Sequence, residues 1–187
     1  MVAGLDRQPV LTGTRLYLRP MAEADREGLY RIACDPLLWE QHPIHDRWQR
    51  PVFDAMFDEA MAHAGALVAE INDGGEIAGS SQFRATTFDP EAVEIGWTYL
   101  ARQHWGTGLN HEMKRLMLAH ALDQVPRVLF RVGEKNIRSR RAMEAIGGVL
   151  TDLFQEIELH GRPIRHVVYA IDRAGFASGP LSGRPDQ

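Results

Sequence analysis

One cysteine in 187 residues, Cys34, leaves the chain without an internal disulfide. A lone thiol is what a reducing cytoplasm permits, so a cytoplasmic protein is expected. Lysine is nearly as scarce. Only Lys114 and Lys135 stand among the 21 basic residues, and the arginine bias is read first as genome composition. No stretch approaches the ~18 consecutive apolar residues of a membrane span, and the opening MVAGLDRQPV has no apolar leader core. A formal net charge of −4 gives no bulk attraction for nucleic acid. The eight histidines include the spaced pairs His42/His45, His104/His111 and His160/His166, none of which completes an HExxH or Cys/His zinc pattern. No metal, nucleic-acid or membrane partner is therefore expected, and no internal repeat or low-complexity tract is evident.

What is present is concentrated between Glu94 and Asp123, EIGWTYLARQHWGTGLNHEMKRLMLAHALD. Val93, Ile95 and Trp97 alternate with Glu94 and Gly96, which predicts a strand. Leu109, Met113, Leu116, Met117 and Ala121 recur at helical spacing. Between them lies Gly106-Thr107-Gly108. Glycines at a strand-to-helix turn let backbone N–H groups close on an anion at the helix start, as in pyrophosphate sites.

Around this segment the chain reads in the order β-α-α-β-β-β-α-β-α-β-β. Arg15–Arg19 is a strand stopped by Pro20. Helices follow at Ala24–Cys34 and from Pro51, with a structured loop over 35–50 holding Trp39, His42, His45 and Trp48. Ala66–Ile71 and Glu76–Thr86 form a hairpin around Asn72-Asp-Gly-Gly75. Arg127–Val132 is a strand, Asn136 an N-cap, and Gly147-Gly148 a helix stop. Val149–Leu159 and Arg165–Asp172 close the chain about a turn at His160–Pro163. The fold class is α/β (α+β): a mixed, mostly antiparallel sheet with helices on both faces. Residues 11–174 are read as one domain, 1–10 as a loose lead-in and 175–187 as a mobile C-terminal tail.

Three stretches together carry a family resemblance: LTGTRLYLRPMAEADREGLY, EIGWTYLARQHWGTGLNHEMK and NIRSRRAMEAIGG. In these the chain resembles the GNAT superfamily of N-acetyltransferases, and within it the RimJ/RimL-like branch. The superfamily's Gln/Arg-x-x-Gly-x-Gly/Ala loop fits in two frames. Gln103-x-x-Gly106-x-Gly108 matches literally; Trp105-x-x-Gly108-x-Asn110 matches the branch pattern and is preferred, because it sets Glu94 where relatives carry a glutamate. Many relatives carry a tyrosine seven residues after the asparagine, where this chain has Met143.

The resemblance implies acetyl-CoA as co-substrate and an amine acceptor, a small molecule or a peptide N-terminus, attacked directly in a ternary complex. Trp105, Gly106, Thr107, Gly108, Leu109 and Asn110 would hold the pyrophosphate. Thr98, Tyr99 and Leu100, on a strand splayed from its neighbour, would pair with the pantetheine arm, and Asn136 would touch that arm while capping its helix. Ser139 would hydrogen-bond the departing thiolate, or serve only its local backbone. Glu94 is the candidate base, or a strand residue in a structural hydrogen bond. Direct proton transfer from an amine to an ordinary glutamate is uphill by about 5 kcal/mol, so a basic Glu94 must be raised by burial or act through water. Lys135, Arg138, Arg140 and Arg141 crowd the start of the later helix, where cations oppose the macrodipole. They are read first as a solvated face, the alternative being that a cofactor phosphate, or a carboxylate such as Glu134, offsets them. The aromatic loop of Trp39, His42, His45 and Trp48 borders the acceptor by resemblance, or closes the core. Alternatives are an enzyme for another acyl-CoA and a non-catalytic acyl-CoA sensor. A Rossmann dinucleotide site is disfavoured, since GTGLNH lacks the third glycine. The protein is expected to be a monomer or a homodimer.

Overall fold

In the computed structural model, which describes residues 4–72, 75–159 and 161–183, strand alternation assigns side chains to two helix layers on one sheet. The strands are β1 (Leu11–Thr12), β2 (Leu16–Pro20), β3 (Ala66–Ile71), β4 (Ile77–Ala85), β5 (Ala92–Leu100), β6 (Arg127–Gly133), β7 (Val149–Leu159) and β8 (Arg162–Asp172). They lie in the order β1-β2-β3-β4-β5-β6-β8-β7. On β3, Ala66 and Val68 face α1 (Arg26–Ala33) and α2 (Arg50–Ala62), packing with Leu29, Phe53 and Phe57. Leu67 and Ala69 face α3 (Leu109–Gln124) and α4 (Ile137–Ala145), with Met113, Met117, Leu118 and Met143. Burial on both faces explains why the strands read as apolar runs more than as clean alternation.

Among the described residues the pairing between β5 and β6 is the parallel one, and it is short: Ala92↔Arg127, Val93↔Val128 and Glu94↔Leu129. Beyond Glu94, β5 continues along β4 to Leu100 while β6 continues along β8 to Gly133. The two strands part there. A register shift between β4 and β5, between Ser80 and Gln82, marks a bulge, and opposite it Trp97 takes φ +53°. A bulge bends its strand, and a bulky residue in the left-handed region is a costly conformation found mostly at functional sites.

Several expectations shift. The first predicted helix is a 3₁₀ turn, Glu23–Asp25, followed by α1. The closing strand β8 lies between β6 and β7, so the sheet edge on that side is β7, which the hairpin carries outward. The segment read as a mobile tail from residue 175 forms most of α5 (Arg173–Ser178), capped by Asp172 through Gly175, and Leu181 beyond it is buried in the core. The lead-in is tied down as well: the Asp6 amide donates to Gln124 Oε1 and the Asp6 carbonyl meets His120 Nε2 at 2.7 Å. Asp73 and Gly74 of the expected first hairpin turn, His160 of the second, and residues 1–3 and 184–187 of the two ends lie outside the described residues.

Candidate active site

The wedge between β5 and β6 begins at Glu94, and two cavities meet in it. The larger, about 630 Å³, is bordered by the 105–111 loop and helix start, Thr98–Leu100 of β5 and the start of α4. The smaller, about 320 Å³, lies against Glu94–Thr98, β6 and the 39–47 loop. Trp39, His42, Thr98, Asn136 and Ser139 border both.

The loop into α3 owes its shape to two glycines. Gly106 has φ +73° and Gly108 φ +84°, the latter as N-cap of α3. A β-carbon on Gly108 would stand 3.3 Å from Arg15 Nη2. Arg15 braces the loop, donating to the Thr107 carbonyl at 2.8 Å while pairing with the buried Glu112 at 3.0 Å. The Trp105 amide is spent on the Arg102 carbonyl, and the Leu109 amide leans on Thr107 Oγ1 at 3.4 Å. The amides of Gly106, Thr107, Gly108 and Asn110 make no such bond among the described residues, so the anion-binding donors are fewer than the six expected. Leu109 puts its side chain in the core. Trp105 lines the larger cavity, its indole donating to the Leu100 carbonyl at 3.1 Å. Gln103, from the alternative frame, donates to Glu76 and does not border that cavity.

At the start of α4, the buried Asn136 accepts the Ser139 amide through its side chain at 3.1 Å, as an N-cap does. The Ser139 hydroxyl makes no hydrogen bond among the described residues and sits at the junction of the cavities. Arg138 is not the freely solvated residue expected. Its guanidinium lies 4.2 Å over the Trp105 ring and donates to the Leu38 carbonyl, and the residue borders the larger cavity. Arg140 turns away to the Tyr169 hydroxyl.

In the smaller cavity, Glu94 is 4% exposed and accepts from Arg131 Nε at 3.2 Å. Burial raises its pKa, against the lowering pull of Arg131 and, more weakly, Arg84. The named residues of the aromatic loop divide: Trp39 and His42 line the cavities, and His45 and Trp48 do not. Trp39 packs on Tyr99 at 5.5 Å within the core and also walls both cavities, whereas Trp48 is exposed and borders neither. Burial, aided by Arg47, drives His42 down to about 3. Lys114 was not picked out from the sequence. It is 1% exposed, its Nζ donates to Thr98 Oγ1 at 2.6 Å and Ser81 Oγ at 3.2 Å, and burial draws its pKa down to about 7. The available signal was its place beside Met113 and Met117 on the buried side of α3, in a chain with two lysines. Among the described residues no cluster of His, Cys, Asp and Glu could hold a metal ion, and no helix is long and apolar enough to cross a membrane.

A splayed parallel strand pair, a left-handed loop feeding a helix and a second capped helix across the wedge define an acyl-transferase architecture. Residues 15–149, well over half of the chain, match the acetyltransferase (GNAT) domain family, and the chain belongs to it. Among solved structures it is similar to a GCN5-related N-acetyltransferase from Brucella melitensis, at 17% identity and TM-score 0.79, covering 91% of this chain and 81% of that one. It is similar to Mycobacterium smegmatis RimJ in complex with CoA-disulfide, at 20% identity and TM-score 0.69, covering 92% and 88%. It is also similar to spermidine N-acetyltransferase from Vibrio cholerae in complex with CoA and spermine, at 14% identity and TM-score 0.64, covering 88% and 99%. At these identities the likeness is one of fold. Among curated proteins none matches the sequence.

Proposed function

We propose that this GNAT protein is an acetyl-CoA-dependent N-acetyltransferase that acetylates a primary amine by direct attack in a ternary complex. The observation that carries the reading is the junction of the two cavities at Thr98, Asn136 and Ser139. It lets a donor in the larger cavity meet an acceptor in the smaller one. The structure offers what CoA requires: unspent loop amides at a helix start, an unpartnered β5 edge, and a free hydroxyl at the junction. That RimJ and the spermidine enzyme are seen with CoA compounds supports the same reading.

Bound acetyl-CoA supplies a thioester, whose acetyl group passes to the amine nitrogen as the carbon–sulfur bond breaks. The amides of Gly106, Thr107, Gly108 and Asn110 hold phosphate oxygens, and Arg138 adds positive charge beside them. The edge of β5 at Thr98, Tyr99 and Leu100 orients the arm. Ser139 donates a hydrogen bond toward the sulfur, and Glu94 draws off the amine proton, directly or through water. Released products are the amide and the free thiol, with one proton given up when the amine enters as its ammonium. The Trp105–Asn110 frame favours the RimJ/RimL-like branch, and the free Cys34 thiol fits a cytoplasmic protein.

The test is an acceptor screen read by thiol release, with calorimetry for CoA. Micromolar CoA binding and transfer to at least one amine class are expected. Binding without transfer to any amine, peptide or small molecule would replace the enzyme by an acyl-CoA sensor; absence of CoA binding would remove the reading altogether.

A further inference from the structure

Two cations in the smaller cavity have no carboxylate at ion-pair distance among the described residues. Arg131 has Glu94, and nearby Arg84 has Glu59 at 2.7 Å. Arg47 donates to His42 Nε2 at 3.1 Å and lies over the Trp39 ring, and Lys114 donates to two hydroxyls. Neither makes an ion pair among the described residues, and Glu59 and Asp46 act on Arg47 only from beyond ion-pair distance. The cavity lining therefore sets Arg47, Lys114 and Arg131 against Glu94. The two histidines in the same walls register the surplus. Beyond the effect of burial, Arg47 lowers His42, and Arg131 and Arg47 lower His166.

Burying a lysine without an opposite charge is expensive, and a methionine would fill similar space at no such cost. An ammonium has three donors, and Ser81 and Thr98 take two from Lys114. An anion in the cavity would use the third donor and supply the missing charge. Thr98, the closer of those partners, also borders the larger cavity, so an anion held here lies beside the junction.

Resting on the reading of this cavity as the acceptor site, we propose that the acceptor carries a carboxylate as well as its amine, and that Arg47 and Lys114 receive the carboxylate. A volume of about 320 Å³ suits a molecule of amino-acid size. A free amino acid presents both groups, and so does an Asp or Glu at a peptide N-terminus. Surplus positive charge also lowers the pKa of a bound amine, which favours the neutral nucleophile. A polyamine, whose other ends stay charged, is repelled.

Thiol release from acetyl-CoA would be compared across matched acceptors: free amino acids against their carboxamides, peptides beginning with Asp or Glu against Asn or Gln, and spermidine. The carboxylate member of one pair should lead by about 10- to 100-fold in kcat/KM, the worth of hydrogen bonds to a charged group. The leading pair separates a free amino acid from a peptide terminus. Arg47→Gln and Lys114→Met should each collapse that lead while calorimetric CoA affinity stays unchanged. A second readout needs no turnover. With CoA present, calorimetry of the same acceptors in buffers of different ionisation heat should show proton uptake on carboxylate binding that Lys114→Met lacks. Here the groups facing the site are Glu94, Arg131, His42, His166 and Arg47, the last under the influence of Glu59 and Asp46, and that variant keeps all of them. Equal use of carboxylates and carboxamides, preference for spermidine, or a lead that survives both variants would overturn the proposal. The transferase reading would still stand on CoA binding and transfer to uncharged amines.

Discussion

Glu94 is placed where the two influences on a carboxyl group oppose each other. Burial, the larger, makes it a better proton acceptor, and Arg131 at 3.2 Å holds it back. His42 is a poorer choice of base, since a group pulled to about 3 holds a proton even less readily. Glu94→Gln keeps the shape and removes the basic oxygen. The rate at neutral pH should fall by roughly 10²–10⁴, and the loss should shrink at high pH, where the amine is already neutral in solution. A loss equal at every pH would make Glu94 an orienting residue, with Arg131 as what it orients against. CoA affinity should hardly change, because Glu94 borders the smaller cavity and not the larger.

At the scale of elements, the loop–helix unit carries the cofactor reading, and its backbone is its chemistry. Gly108→Val imposes a β-branched residue at φ +84° and brings its β-carbon against Arg15. Left-handed backbone costs an ordinary residue about 1–2 kcal/mol, and a displaced Arg15 frees the Thr107 carbonyl. Calorimetry should show a large loss of CoA affinity, with circular dichroism of the fold retained; unchanged affinity would mean that the loop does not hold the cofactor. Much of this unit was legible in the sequence, because the glycines, the alternation before them and the helical stripe after them are local signals. Ala66–Ile71 and Val149–Leu159 were legible to the residue for the same reason, each being bounded by turn residues. What was not legible depends on tertiary partners. The six-residue α5 contains Gly175 and gains its place from Phe176 and the buried Leu181, not from propensity. The insertion of β8 between β6 and β7 is a choice of pairing that no local pattern announces. A stripe drawn from apolar residues passes over Glu112 and Lys114, both buried, because their partners Arg15, Ser81 and Thr98 come from other strands and loops.

For the whole molecule, the charge on Lys114 is a cost that folding must carry. Its pKa falls from 10.5 to about 7 on burial. Between those values the unfolded chain binds a proton that the folded chain does not, so the free energy of unfolding rises with pH across that window. Below about 7 both states are charged and the penalty is complete; above 10.5 both are neutral and it vanishes. Lys114→Met should therefore raise Tm most near pH 6 to 7, by roughly several degrees for a chain of this size. Its advantage should dwindle toward pH 10. Other groups that titrate over the range are common to both proteins and cancel in the difference. A gap that stays constant with pH would mean that Lys114 does not change charge on folding, as when water enters the cavity and solvates its ammonium. A gap of the opposite sign would mean that the bonds to Ser81 and Thr98 outweigh the desolvation, and that the lysine holds β4, β5 and α3 together by its own hydrogen bonds.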